Sequence, residues 1–357
     1  MTSLYIHIPF CKKKCNYCDF VSSAGKEELI DGYVEALIHE LASLPPTFYL
    51  PPATIYLGGG TPTLLEPKYF DKIISPIIGH WKLDIGNFEI SVEANPGTAD
   101  KSKLKELRRL GINRLSIGAQ SFNDQQLKAL GRIHNSEANL RFYDDARSVG
   151  FENINLDMIF ALPEQTLDQW KKDLQTALSL KPEHLSTYNL QIEQGTPLSL
   201  HVTDYLFPDE DTELTMYEHT IETLAGSGYK HYEISNFAKP GFECRHNIVY
   251  WKNGNYIGIG AGAHSHVNGK RWSNPNCIEK YLNSSFAPQP SPIVPDQSET
   301  IFMGLRLLDG LEVEKLTGFE KELAELIESG LLIRENLHIK LTRQGLYLAN
   351  EVFARFV

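Results

Sequence analysis

The sequence has only five cysteines in 357 residues, an odd number in a long chain. That argues against the disulfide framework that staples small secreted domains. Basic residues are in the minority: 34 Lys and Arg stand against 45 Asp and Glu, a formal net charge of −11. Broad nucleic-acid binding, which a basic surface drives, is therefore disfavoured. No apolar run is long enough to cross a bilayer. The start shows no charged segment followed by an apolar stretch. Gly58-Gly59-Gly60 is not followed by Gly-Lys-Ser/Thr, so the phosphate-cradling loop of nucleoside triphosphatases is missing. No internal repeat stands out beyond an alternation of strand-like and helix-like stretches. What remains is an ordinary globular balance, 42% hydrophobic and 22% charged. A reducing, cytoplasmic setting is expected for such a chain.

The alternation runs from residue 3 to about 195. Strand-like segments at 4–8, 54–57, 88–92, 114–117, 153–159 and 185–192 are rich in β-branched and aromatic residues. Between them, helical periodicity is read over 27–44, 69–78, from a cap at Asp100 to Gly111, and over 136–149 and 166–180. Six consecutive βα units imply parallel strands joined by right-handed crossovers. Six falls short of the eight that close a TIM barrel, so the expected fold class is α/β, an open partial (β/α)6 barrel. A doubly wound sheet is the alternative. Beyond the barrel, 212–228 reads as a helix, 229–237 as a strand and 240–262 as irregular. Residues 283–297 form a Pro/Ser-rich linker. The tail reads as helices 299–308 and 321–329, a hairpin of 331–334 with 338–341, and a helix opened by Thr342. That order resembles a winged helix. Residues 299–357 carry ten Asp/Glu and seven Lys/Arg, the wrong sign for a DNA footprint. A lid or docking role fits better. The expected organisation is a barrel over 1–200, an extension over 201–282, the linker, and a winged-helix-like domain over 298–357.

Three of the cysteines, Cys11, Cys15 and Cys18, stand at C-x3-C-x2-C on the loop after the first strand. Three thiolates so close can hold one metal group. A structural zinc site wants four ligands in closed pairs, and Cys244 and Cys277 are isolated and distant. An iron–sulfur cluster fits the triplet better than zinc or incidental thiols, and three ligands leave one iron of a [4Fe–4S] cluster open. Around the other strand ends the sequence places Gly58-Gly59-Gly60-Thr61-Pro62, Glu93, Gln120 and Arg132, with Asp157 inside a hydrophobic strand. Each alone reads as a loop residue or cap. Together, one per strand end, they would ring one pocket. Carboxylates accept ribose hydroxyls and arginine grips a carboxylate, which suits a ligand carrying both a ribose and an amino-acid carboxylate.

The triplet followed by G-G-G-T-P resembles the radical S-adenosylmethionine (SAM) superfamily. YIHIPFC, Y-L-G-G-G-T-P-T, S-V-E-A-N-P, S-I-G-A-Q-S-F and Y-E-I-S-N-F-A resemble a narrower group within it. That group holds the oxygen-independent coproporphyrinogen III oxidases and the HemW-type haem chaperones, and the resemblance covers nearly the whole chain. It implies a [4Fe–4S] cluster on Cys11, Cys15 and Cys18, with SAM on the open iron. It also implies SAM contacts from Tyr5, Tyr17, Gly59, Gly60, Thr61, Glu93, Gln120, Arg132 and Asp157. The oxidases carry a fourth cysteine two residues after the third; here Phe20 stands in that place, as in the chaperones. His246-Asn247-Ile248-Val249-Tyr250 matches the chaperones' haem-associated H-N-x-x-Y motif, making His246, Asn247 and Tyr250 the expected haem residues. His264, His266 and Cys244 are rival ligands. The resemblance thus implies haem as cargo and apo-haem proteins, such as respiratory enzymes, as partners. The alternative is an oxidase that decarboxylates a porphyrinogen through a SAM-derived radical.

Overall fold

The computed structural model describes residues 2–44, 51–84, 88–284 and 297–357. Six parallel strands form its centre: β1 (Ser3–Ile8), β2 (Thr54–Gly59), β3 (Glu89–Ala94), β4 (Arg114–Gln120), β5 (Asn153–Phe160) and β6 (His184–Asn189). They neighbour one another in chain order, as successive βα units require. Every residue of β4 is buried, the mark of a parallel strand covered on both faces. The covering helices are α1 (Ile30–Ala42), α2 (Pro67–Trp81), α3 (Lys101–Arg109), α4 (Ser136–Ser148) and α5 (Leu167–Ser179). Their starts follow side-chain chemistry. The Asp100 carboxylate accepts from the Lys103 amide, and Thr166 with Gln169 forms a capping box. α1 begins after a single 3-10 turn at Glu27–Leu29, so the helix expected from residue 27 is shorter at both ends.

The extension departs from the sequence reading. The segment 229–237 is two short antiparallel strands, β7 (Lys230–Glu233) and β8 (Asn236–Ala238), with β8 antiparallel to β6. The stretch 240–262 is not irregular. After helix α6 (Glu210–Gly226) and these strands come helix α7 (Arg245–Trp251) and strand β9 (Tyr256–Ile259). β9 lies parallel to β1, on the side away from β2, and adds a seventh parallel strand. Antiparallel strands β10 (His264–Val267) and β11 (Lys270–Ser273) continue outward. The sheet runs β11-β10-β9-β1-β2-β3-β4-β5-β6-β8-β7, and its two edges do not pair, so the barrel is open.

One continuous apolar core fills the space between strands and helices. The tail has its own smaller core of Ile301, Leu305, Leu316, Leu326, Leu332, Ile339, Val352 and Phe356. Its hairpin is β13 (Leu332–Glu335) with β14 (His338–Leu341), and the two-residue strand β12 (Leu311–Glu312) pairs on the far side of β14. Thr342 caps a helix as expected, but that helix ends at Tyr347, and a second one spans Ala349–Ala354. Residues 285–296 of the expected linker lie outside the described residues. No helix among those described is long and apolar enough to cross a membrane.

Candidate functional site

A cavity of about 390 Å³ runs into the barrel from the C-terminal ends of the strands. Cys11, Cys15 and Cys18 all border it. Among the described residues, no three His, Cys, Asp or Glu side chains are close enough to grip a single ion. The three thiols border a shared space instead. Their loop is fastened on both sides. The Asn16 amide side chain donates to the Ala129 carbonyl at 2.9 Å, and the His7 ring meets the Val21 carbonyl at 2.7 Å. Gly131 is required here: its φ is +74°, and a Cβ would lie 2.7 Å from Asn16 Oδ1.

One polar chain links two of the thiols. Arg132 Nη1 lies 3.5 Å from Cys15 Sγ, and its Nη2 donates to Asn95 Oδ1 and to the Gly118 carbonyl. Asn95 Nδ2 donates to Thr61 Oγ1 at 2.9 Å, and the Thr61 hydroxyl points to Cys11 Sγ at 3.7 Å. Burial pushes the Cys11 and Cys18 thiols up, while the Thr61 hydroxyl and the Phe20 amide respectively pull them back. A positive guanidinium and hydrogen-bond donors around sulfur are the surroundings that favour thiolates.

The carboxylates lie deeper. Glu93 Oε2 accepts from the Gly59 amide at 2.9 Å and Oε1 from the Tyr56 hydroxyl at 3.0 Å. Burial, with Asp157 nearby, still pushes the Glu93 carboxyl up to about 7. Asp157 accepts from Ser116 at 2.9 Å and from Asn155 at 2.8 Å, and burial raises it as well. Gln120 ends β4 with φ +65°, a left-handed backbone that a glutamine rarely adopts and that aligns with a register break against β5. Such strain gathers at binding sites.

Eight of the nine residues expected around SAM border this one cavity: Tyr17, Gly59, Gly60, Thr61, Glu93, Gln120, Arg132 and Asp157. Tyr5 does not. Its hydroxyl meets His7 Nδ1 at 3.0 Å, and its ring stacks on Tyr56, which does border the cavity. Phe20 lies at the cavity mouth and is 65% exposed, a large apolar side chain left in the open beside the cysteines.

His246, Asn247 and Tyr250 lie on α7, at the opposite end of the barrel. His246 is fully buried, and both ring nitrogens are engaged, Nδ1 with Thr54 Oγ1 at 2.7 Å and Nε2 with the Tyr250 hydroxyl at 2.8 Å. Its ring stacks on Tyr56 at 5.0 Å, and burial depresses it to about 3, so it is neutral. The Glu89 carboxylate accepts from the amides of Arg245 and His246 at the start of the helix. Thr54, Glu89 and Arg114 are the first residues of β2, β3 and β4, so α7 closes the N-terminal end of the barrel. In this arrangement His246 has no nitrogen to offer to iron. Asn247 and Cys244 reach the inner cavity. Of the rivals, His266 has Nδ1 on the Gly254 carbonyl, and His264 is exposed on β10.

Comparison with known proteins decides the family. A radical SAM superfamily model matches residues 5–177, and a HemN C-terminal domain model matches residues 297–348. The heme chaperone HemW of Lactococcus lactis is 38% identical to this chain, over 99% of it and 97% of that protein. The heme chaperone HemW of Bacillus subtilis is 37% identical, over 100% and 99%. The chain belongs to the HemW family. Among solved structures, the coproporphyrinogen III oxidase HemN from Escherichia coli, described as a radical SAM enzyme, is similar with a TM-score of 0.82. It covers 99% of this chain and 89% of that one at 23% identity, a likeness of fold. All nine residues expected around SAM, and the cysteine triplet, fall inside the radical SAM match.

In this HemW-family chain the structure adds residues that the sequence reading did not single out. Asn95 couples Arg132 to Thr61, and Tyr56 holds Glu93 from below. Ser116 and Asn155 dress Asp157. Asn95 had a visible signal, two residues beyond Glu93 at the same strand end. Ser116 and Asn155 had only their places, alternate with Gly118 and Asp157, on the inward faces of β4 and β5.

Proposed function

We propose that the protein is a haem chaperone, binding haem and passing it to apo-haem proteins, and that it carries a [4Fe–4S] cluster and SAM. The observation that carries this reading is near-full-length similarity to proteins named heme chaperone HemW, at 38% and 37% identity. Cys11, Cys15 and Cys18 would hold the cluster; all three border one cavity, and two of them meet donors from Arg132 and Thr61. Such a cluster, when bound, would leave one iron open to the amino and carboxylate groups of SAM. The protein's own part is positional. Arg132 places a buried positive charge beside the triplet, where it would stabilise thiolates and receive a carboxylate. Asp157, held by Ser116 and Asn155, and Glu93, held by Gly59 and Tyr56, present oxygens to hydroxyl or ammonium groups. The cavity encloses these groups away from bulk water, which strengthens each contact. The oxidase reading shares the fold but not the fourth cysteine, since Phe20 occupies its place.

Two measurements test the proposal. Anaerobic reconstitution should give a brown, iron- and sulfide-containing protein, and Cys15→Ser should hold no stable cluster; zinc in place of iron in the wild type would sink the cluster assignment. Haem titration of the reconstituted protein should give a saturable change in the Soret band, and coproporphyrinogen supplied anaerobically with SAM should remain unconverted. Formation of protoporphyrinogen would establish the oxidase instead.

A further inference from the structure

Among the described residues, Gln120 is the one non-glycine residue bordering the inner cavity that has a left-handed backbone. The Ser121 amide donates to the Ala119 carbonyl at 2.8 Å, which closes a three-residue turn with Gln120 at its centre. With φ at +65°, this is the rarer and strained form of such a turn. The register slips at the same point: Gly118 faces Asp157 on β5, but Gln120 faces Met158. A non-glycine residue keeps such a conformation only where its surroundings over-determine it. Here the turn has a use. A Cβ on Gly118 would lie 2.9 Å from Gln120 Nε2, 2.5 Å from Asn95 Oδ1 and 3.2 Å from Arg132 Nη2. The Gln120 amide therefore fills the space that Gly118 leaves, beside the Arg132 guanidinium.

Two buried side chains from the covering helices hold the turn, and neither borders the cavity. Asn139, on α4, donates through Nδ2 to the Ala119 carbonyl at 3.1 Å and to the Ser121 carbonyl at 2.9 Å, one on each side of Gln120. Its Oδ1 is buried without a partner. An orphaned buried acceptor is costly, so this amide is fitted to the two carbonyls rather than to its own hydrogen-bond balance. Asp173, on α5, accepts through Oδ2 from the Ser121 hydroxyl at 2.5 Å and through Oδ1 from the Phe122 amide at 2.9 Å. It forms no ion pair among the described residues, so both oxygens of a buried carboxylate are spent on this one turn. The Ser121 hydroxyl in turn accepts from the Asn123 amide at 3.0 Å. We propose that Asn139 and Asp173 are positioning residues, which hold Gln120 in its turn and thereby set the affinity of the inner cavity for SAM. The inference rests on the SAM-binding reading and adds to it a determinant outside the cavity wall. Without this clamp the strained backbone relaxes and the amide loses its fixed place beside Arg132. Binding must then order it again, and that ordering is subtracted from the affinity.

The test is the SAM dissociation constant of the full-length, cluster-reconstituted protein, measured alongside its iron content and the urea unfolding of the cofactor-free form. Asn139→Ala and Asp173→Ala should each weaken SAM binding by about tenfold with iron content unchanged. Asp173→Asn should stay within about twofold of the wild type, because its amide oxygen still accepts from Phe122 and its amide nitrogen donates to Ser121. Ser121→Ala removes one hydroxyl, leaves both clamping side chains in place, and should weaken binding by about threefold whether or not the larger truncations fold. In a Gln120→Ala background none of these changes should weaken SAM binding further, since the clamp acts through that side chain. Losses of the same size with and without the Gln120 side chain would reduce Asn139 and Asp173 to a structural role and overturn the inference. Wild-type SAM affinity in Ser121→Ala and in the folded truncations would overturn it too, while leaving the SAM-binding reading intact. A wild-type protein that takes up the cluster and binds no SAM would overturn that reading and this inference together.

Discussion

Glu93 shows how much a single residue's surroundings decide. It sits at the end of β3, under the Gly59 amide and beside the Tyr56 hydroxyl, and burial outweighs both donors. Its carboxyl holds a proton up to about pH 7, whereas in the unfolded chain it releases it near the ordinary value of 4.5. Between those values the folded protein binds more protons than the unfolded one. Its contribution to stability is therefore fully present below pH 4.5, falls as pH rises through about 7, and is flat above. The shift amounts to about 3 kcal/mol. Urea unfolding of the cofactor-free protein between pH 5 and 8, which spans most of this window, should show this decline, and Glu93→Gln should flatten it. Equal slopes in the two proteins would contradict the assignment. Glu93 itself was legible in the sequence, as a carboxylate at a strand end. Its partner Tyr56 was not, because nothing local distinguishes an inward-facing strand tyrosine that meets a carboxylate from one that meets only apolar neighbours.

At the scale of elements, α7 is the piece that sequence periodicity could not resolve. It is seven residues long, set among Gly, Asn and Pro, and too short to show an amphipathic repeat. Its position comes from long-range contacts: the Glu89 carboxylate at its N-terminus, and His246 wedged between Thr54 and Tyr250 against the Tyr56 ring. The H-N-x-x-Y spacing is a helix i to i+4 pair, which brings the Tyr250 hydroxyl onto His246 Nε2. His246→Ala removes two buried hydrogen bonds and a ring from this plug. It should cost about 3 kcal/mol by urea unfolding, with the m-value unchanged. A cost within ordinary surface range, about 0.5 kcal/mol, would refute the plug. β9 escaped for a similar reason. Its four residues, Tyr-Ile-Gly-Ile, become a strand by pairing with β1, some 250 positions earlier in sequence.

At the scale of the whole molecule, the tail is joined to the barrel extension through a buried ion pair. Glu233 is fully buried, and Arg306 donates to its Oε1 from both Nε and Nη2, at 2.9 and 2.6 Å. The same carboxylate's Oε2 accepts from the Asn236 side chain and the Ser235 amide. A buried carboxylate stripped of its cation is costly, about 3–5 kcal/mol. Arg306→Ala should therefore loosen the tail and also free the Trp251 ring that Arg306 covers. Limited proteolysis should cut near residues 297–310 faster in the variant, with cluster loading unchanged. Unaltered cleavage would show that the pair does not hold the tail.

The sequence by itself determined the order of the six parallel strands, the cysteine loop after the first, and part of the lining of the inner cavity, among it Glu93, Gln120, Arg132 and Asp157. Those features are local. A strand is written in β-branched residues, and a βα loop places whatever follows the strand at the same end of the barrel. The tertiary structure decided what is not local. It turned H-N-x-x-Y inward as a plug, recruited β9 beside β1, and tied Arg132 through Asn95 to Thr61. Each of those contacts joins segments far apart in the chain, so its energy appears only when both sides are folded and water has been excluded between them.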